Sequence, residues 1–338
     1  MEFITLGHGS GGKLSHRLIS ELFLKYFQNE ILIKQDDMAI VPGSSMNWAI
    51  STDSFVINPI FFPGGNIGKL SVCGTVNDVA MSGGIPLYLT AAFIIEEGFP
   101  LAELERIVQS MAETAASAGV KIIAGDTKIV GKGQADGIFI NTTGFGLIPE
   151  GRNISGRNAQ PGDVIIVNGT LGDHGVAVMA ERHGLEFSVP IFSDCAPLNE
   201  IIALLLENVP RVNVLRDPTR GGLATTLNEI AYQSNVMIEL WEEKLPVKDE
   251  VFSACEILGL DPLYIANEGK FIAILPEEFA DIALATIKNH PLGRDAAIIG
   301  KVVDKPKENS NNKVYLKTAL GGKRILDMLA GDQLPRIC

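Results

Sequence analysis

Strand-length apolar runs alternate with amphipathic helical segments along the chain, which restricts it to folds that layer helices on sheets. Trp48 to Ile57, Leu87 to Ile95, Lys121 to Ala124 and Gly137 to Ile148 read as strands, and Ile67 to Met81 as a helix. Leu101 to Ala118 is a second helix: Leu101, Leu104, Ile107, Val108 and Met111 recur at helical spacing, and Gly119 stands where a C-terminal cap belongs. From Pro149 to Gly162 the chain turns rich in Gly, Asn, Arg and Pro, and reads as a linker. Beyond it, strands are expected at Val164 to Asn168, Val212 to Leu215, Phe271 to Leu275 and Ala297 to Val303. Helices are expected at Gly175 to Arg182, Leu198 to Glu207, Gly222 to Gln233 and Glu278 to Lys288, and an exposed hairpin loop at Lys305 to Lys313. A length of 338 residues exceeds one ordinary core. The expected class is α+β in two domains, 35–150 and a C-terminal α/β domain at 151–330. A glycine-rich start with a helix (1–34) precedes them, and a flexible tail (331–338) follows.

Hydrophobic residues make up 46%, ample for packed interiors, yet no apolar stretch reaches the roughly 18 residues of a membrane span. With no apolar signal segment at the start, the expected location is the cytoplasm. Cysteines at 73, 195, 255 and 338 form no CxxC and no metal-ligand spacing, which fits reduced thiols there. A net charge of −12 argues against a general nucleic-acid binder. It leaves nucleotides open, because a Mg²⁺ site built from carboxylates is itself acidic.

The chain ends in Gly331-Asp332-Gln333-Leu334-Pro335-Arg336-Ile337-Cys338, a tail that when extended reaches about 26 Å. A terminal thiol is either a frayed end or a nucleophile that enters a pocket headfirst carrying an attached group. Asp53, Asp126 and Asp217 each follow a strand-like run, and Asp78 lies inside a helical one. Carboxylates at strand ends beside glycine turns suit Mg²⁺ held against phosphate oxygens. Singly, each reads first as a helix cap. Asp78 resists that reading, since an acid among apolar helix residues needs a cation or a donor. Gly7-His8-Gly9-Ser10-Gly11-Gly12-Lys13 nearly spells a P-loop, but Leu14 stands where a Mg²⁺-binding Ser or Thr belongs. A flap whose amides and Lys13 close over phosphates remains open. In Arg216-Asp217-Pro218-Thr219-Arg220-Gly221-Gly222-Leu223 a glycine pair opens a helix whose free amides could face an anion. A turn with a capped helix explains Pro218 and Gly221, but the two arginines less well.

These segments resemble the hydrogenase-maturation carbamoyl dehydratase family, HypE, in the superfamily of aminoimidazole ribonucleotide synthetase, thiamin-monophosphate kinase and selenophosphate synthetase. The resemblance runs from the glycine-rich start through Ser51-Thr52-Asp53-Ser54, Val76-Asn77-Asp78-Val79-Ala80-Met81-Ser82-Gly83-Gly84 and Ala124-Gly125-Asp126-Thr127-Lys128. It continues through Arg216 to Leu223, Asn267-Glu268-Gly269-Lys270 and the terminal Pro335-Arg336-Ile337-Cys338, covering essentially the whole chain. It implies a two-domain synthetase-type fold, whose N-terminal sheet domain dimerises and binds ATP beneath the C-terminal domain. Asp53, Asp78 and Asp126 are the implied Mg²⁺ and triphosphate residues, with Lys13, Asp217 and Arg220 also nucleotide-binding.

The implied substrate is the chain's own end. The carbamoyltransferase HypF loads Cys338, ATP-dependent dehydration turns the thiocarboxamide into a thiocyanate, and cyanide passes to iron on a HypC–HypD complex for the [NiFe]-hydrogenase centre. By matching motif positions, Glu268 is the base and Lys128 the cation beside the amide. For Glu268 alone, a structural ion pair is the other reading. Cys73, Cys195 and Cys255 read as ordinary buried thiols. His8 is placed near phosphate; His16, His174, His183 and His290 read as structural or exposed. Two rivals stand beside this reading. A selenophosphate synthetase needs a reactive Cys or selenocysteine in its N-terminal glycine-rich loop, and residues 7–13 contain none. A non-catalytic assembly scaffold that docks through its tail predicts that Cys338→Ser preserves function.

Overall fold

The computed structural model describes residues 12–18, 20–21, 32–36, 39–41, 43, 46–185, 187–303, 314–329 and 336–338. Residues 7–11 of the expected flap, the hairpin loop expected at Lys305 to Lys313 and the first part of the tail lie outside the described residues. After α1 (Lys13–Leu18) come β1 (Ala39–Val41), β2 (Asn47–Phe55), the clip strands β3 (Phe61–Phe62) and β4 (Gly65–Asn66), β5 (Ile85–Glu96), β6 (Lys121–Val130) and β7 (Ile138–Ile148). Five of these form a mixed sheet in the order β1-β2-β7-β5-β6, parallel only between β5 and β6.

The helix α2 (Ile67–Met81) packs across β2 and β7, and α3 (Leu101–Ser117) packs on α2. Asn66 starts α2 by accepting from the amides of Gly68 at 2.8 Å and Lys69 at 3.1 Å. Every residue of α2 except Lys69 and Asp78 is buried, because the sheet covers one side and the C-terminal half much of the rest. Two glycines of β7 make room for it. A Cβ on Gly144 would sit 2.8 Å from Thr75 Cγ2, and one on Gly146 only 2.5 Å from Val79 Cγ1.

The C-terminal half holds β8 (Asp163–Val167), β9 (Val214–Arg216), β10 (Ile238–Trp241), β11 (Ile272–Pro276), β12 (Ala297–Val302), β13 (Val314–Lys317) and β14 (Lys323–Leu326). They form one sheet in the order β14-β13-β10-β12-β8-β11-β9. Its helices are α4 (Asp173–His183), α5 (Asn199–Asn208), α6 (Gly222–Ser234), α7 (Asp249–Leu258) and α8 (Ala280–Lys288). Val164, Ile166, Ala273 and Leu275 pack with α5 and α8 on one face; Ile165, Val167, Ile272 and Ile274 pack with α6 on the other. Covered on both sides, β8 is buried at every residue, as its apolar sequence requires. The two halves share cores: Val79, Ala80 and Met81 of α2 join the α5 cluster, while Val176 and Ala177 of α4, Cys195 and Ile337 join the N-terminal one.

The expected helices are present with ends shifted by a residue or two, and the last begins as a 3₁₀ turn, Glu277–Phe279. One strand differs in a way that matters. β6 does not stop at Ala124 but continues to Val130, because Ala124 to Val130 find backbone partners in Thr90 to Glu96 of β5. Asp126, like Asp53 in β2, therefore lies inside a strand and not at its end. The sequence reading assigned no element to β10, α7, β13 or β14; four-residue strands are too short for alternation to stand out.

Candidate active site

Four elements meet where β2 ends. Ser51 and Asp53 lie on the α2-facing side of β2, and Ser51 Oγ donates to Asp78 of α2 at 2.5 Å. Asp53 stands two residues further along the same face, roughly 6.8 Å away. Asp217 follows β9 directly and is buried. Burial pushes its carboxyl up to about 6; Arg216 opposes this and the nearby Asp53 charge adds to it. The turn that follows needs both its glycines. Gly221 and Gly222 have φ of +75° and +61°, and a Cβ on Gly222 would meet Ile265 O at 2.6 Å. Asn267 holds the turn from the other side, its amide and Nδ2 both donating to Pro218 O at 3.1 and 3.0 Å.

Arg220 projects from that turn, and its Nε donates to Cys338 Sγ at 3.1 Å. The chain end is thus docked against the body of the protein, with Cys338 half-buried. Burial raises the Cys338 thiol above its ordinary value; Arg220 pulls it down, while Glu268 and Asp53 push it further up. The thiol, with Asp53 and Glu268, in turn raises Arg220 above the usual arginine value. Glu268, 3% exposed, is held well above the glutamate range by burial, with Cys195, Asp217 and Asp194 adding and Arg220 opposing.

Its backbone is fixed by Asp194, which the sequence reading did not single out. Asp194 accepts from the amides of Glu268 at 3.1 Å and Gly269 at 3.2 Å and pairs with Lys270 Nζ at 2.9 Å. The wrap is so close that a Cβ on Gly269 would lie 1.8 Å from Asp194 O. Burial opposes charge on Asp194, but Lys270 leads a set of partners that hold its carboxyl below the usual range. No local sequence signal marks Asp194 beyond its being an acid next to a cysteine.

Asp53, Asp78, Asp217, Arg220, Glu268 and Cys338 are therefore brought together. Asp126 and Lys128 are not, within one chain. Asp53 aligns with Thr142, Ala91 and Gly125 across the sheet, whereas Asp126 aligns with Ala92, Asn141 and Ser54. Asp126 and Lys128 therefore sit on the opposite face, three strands or about 14 Å away. Lys13 is placed elsewhere, with Nζ 2.7 Å from Asp327 and its amide donating to Leu329 O at 3.0 Å. Among the described residues no three His, Cys, Asp or Glu side chains are arranged to hold a metal ion by themselves. The neighbouring acids Asp53 and Asp217 do fit Mg²⁺ bound as it usually is with nucleotides, by one or two carboxylates plus phosphate oxygens and water.

Two family models match the chain: the N-terminal domain of AIR synthase related proteins over residues 35–148, and the corresponding C-terminal domain over residues 160–311. The carbamoyl dehydratase HypE of Cupriavidus necator is 53% identical over 336 residues, covering 99% of this chain and 95% of that protein. A HypE–HypF complex contains a chain of TM-score 0.87 and 53% identity, covering 92% of this chain and 99% of that one. HypE crystallised with ATP matches with TM-score 0.84 and 51% identity over 99% of this chain and 100% of that one.

Proposed function

The chain belongs to the carbamoyl dehydratase HypE family, and from that premise we propose how its own residues carry out the reaction. It is an ATP-dependent carbamoyl dehydratase of hydrogenase maturation, acting on the thiocarboxamide of Cys338 and yielding the thiocyanate that supplies cyanide. The observation that carries the residue assignment is Cys338 Sγ lying 3.1 Å from Arg220 Nε, with Glu268 and Asp53 acting on both groups.

A carbamoyl group on Sγ falls between the arginine and the two acids. Magnesium triphosphate, when bound, would supply the phosphoryl group that makes the amide oxygen a leaving group. Asp53, Asp78 and Asp217 are the residues that would hold it. Net loss of water removes the carbonyl oxygen and two N–H protons from S–C(=O)–NH₂ and leaves S–C≡N. Glu268, once ionised, is the base for those protons. Arg220 orients the sulfur and stabilises the thiolate when the group is later transferred.

Asp126 and Lys128 enter the same reading through a homodimer. β6 is an edge strand exposed at nearly every residue, and it carries Ile122, Ile123 and Ile129 at 40%, 59% and 60% exposure. A bare apolar edge of this kind is ordinarily covered. Dimerisation through that edge and the open face beside it would present Asp126 and Lys128 to the partner's site. The reading also divides the chain into a start (1–34), an ATP-binding and dimerisation domain (35–150), an α/β domain (151–330) and a tail (331–338). It takes HypF as carbamoyl donor, a HypC–HypD complex as cyanide acceptor and the cytoplasm as location. No described helix is long and apolar enough to cross a membrane. The test is the intact mass of carbamoylated protein with and without MgATP. Loss of one water confined to the C-terminal peptide is expected; an unchanged mass overturns the assignment.

A further inference from the structure

The last three residues are held in register by their backbone. Arg336 O accepts from Asn58 N at 3.2 Å and from Arg182 Nη2 at 2.7 Å, and Cys338 O accepts from Val56 N at 3.1 Å. These two carbonyls point toward the chain that continues β2. The carbonyl between them, Ile337 O, points the other way and accepts from His174 Nε2 at 2.8 Å. The Ile337 side chain is 5% exposed and packed in the N-terminal core. The tail end is thus seated between the chain that continues β2 and α4.

His174 is fully buried in the first turn of α4, its ring meeting Phe62 edge-on at 5.5 Å between centroids. Ile337 O can only accept, so Nε2 must carry a proton. Nδ1 lies 2.8 Å from Ser193 Oγ, and that oxygen already accepts from Cys195 N at 3.1 Å. Ser193 can therefore turn its hydroxyl proton to Nδ1, the arrangement that matches the neutral Nε2–H tautomer. Burial, which lowers the basicity of His174, favours the same neutral ring. The neighbouring Asp194 grips Glu268, Gly269 and Lys270. One short loop, 193–195, thereby sets the base from one side and the tail register from the other.

We propose that His174, with its tautomer set by Ser193, is a positioning residue that fixes the register of the docked tail and so aims Cys338 at Arg220 and Glu268. This deepens the reading of Cys338 as the substrate carrier and rests on it, but docking can be measured on the unmodified thiol. Full-length protein is labelled with a small maleimide, and the C-terminal peptide is followed by mass. Phe at 174 keeps an aromatic ring without the donor, and Gln offers an N–H at similar reach. His174→Phe is expected to label Cys338 about five- to tenfold faster, the loss of one buried hydrogen bond. Single-turnover dehydration should also slow, by the smaller factor that the docked population loses, at unchanged ATP affinity. His174→Gln is expected to recover most of both, which a merely structural role would not do. Ser193→Ala keeps the ring but frees the tautomer, and is expected to speed labelling about two- to threefold. Should His174→Phe not fold, this variant decides. Labelling at the wild-type rate in the folded variants overturns the proposal. Wild-type protein that binds MgATP but never loses water would overturn the dehydratase reading and leave the labelling result intact.

Discussion

Glu268 has the chemistry of a base and the surroundings of an acid. Burial and three neighbouring acidic groups raise its carboxyl well above the glutamate range, and Arg220 opposes them only in part. Its replacement by glutamine removes the proton acceptor without changing shape. Glu268→Gln should cut single-turnover dehydration by about 10²–10⁴-fold while carbamoyl loading and ATP binding persist, read from the mass of the C-terminal peptide. Gly269 tests the scaffold beneath it. A Cβ there would lie 1.8 Å from a backbone oxygen of Asp194, with no flexible side chain to give way. Gly269→Ala should destabilise the protein by about 3 kcal/mol or more, measured as a fall in denaturant midpoint. Asp53 and Asp217 were legible as candidates because an acid after a strand-like run is locally conspicuous, and Glu268 because it stands just before an apolar one. Asp194, Ser193 and His174 were not, because their meaning lies wholly in partners distant along the chain.

At the scale of elements, α6 is tied to the strand that presents Asp217. Glu229 of α6 accepts from Arg216 of β9 at 2.7 Å and lies 2.8 Å from His16 of α1. Burial opposes charge on Glu229, yet these partners, Arg216 first, leave its carboxyl below the usual 4.5. A carboxyl lowered by folding contributes stability that is full above its unfolded value and is lost as pH falls through the folded one. Stability from this pair should therefore be level at neutral pH and decline once pH drops below about 4.5. Denaturant titrations of Glu229→Gln should show a flatter acid limb than wild type; parallel acid limbs would rule the pair out as a contributor. The helix α2 makes a second point at this scale. Its apolar run showed that a helix exists, but the absence of a polar face is explained only by the two layers that enclose it.

For the whole molecule, the decisive feature is the division of the sequence-read site between two faces of one sheet. If Asp126 and Lys128 act on the partner's tail, Lys128→Ala and Glu268→Gln homodimers should both be inactive. Mixing them in equal amounts under exchange should then restore about a quarter of wild-type activity, since about half the dimers are mixed and each holds one intact site of its two. Failure of the mixture to recover any turnover would place Lys128 and Glu268 in the same site or Lys128 outside it. If β6, where Ile123 is exposed in the single chain, is the dimer edge, Ile123→Glu should lower the mass measured by light scattering to that of the monomer and abolish turnover together, since it would bury an unpaired charge. What the sequence determined by itself was the alternation of elements, the break between two halves and the identity of the motifs, because periodicity and turn chemistry act over a few residues. Where those motifs point was decided only in three dimensions. In β6 the register against β5 steps from Leu89–Ile122 to Thr90–Ala124, a bulge that leaves Ile123 as the extra residue. Successive strand residues face opposite ways, so that one inserted residue turns Asp126 and Lys128 from the α2-facing side of the sheet to its open side. The tail obeys the same logic: Ile337 O meets His174 because its neighbours' carbonyls are taken by Val56 and Asn58.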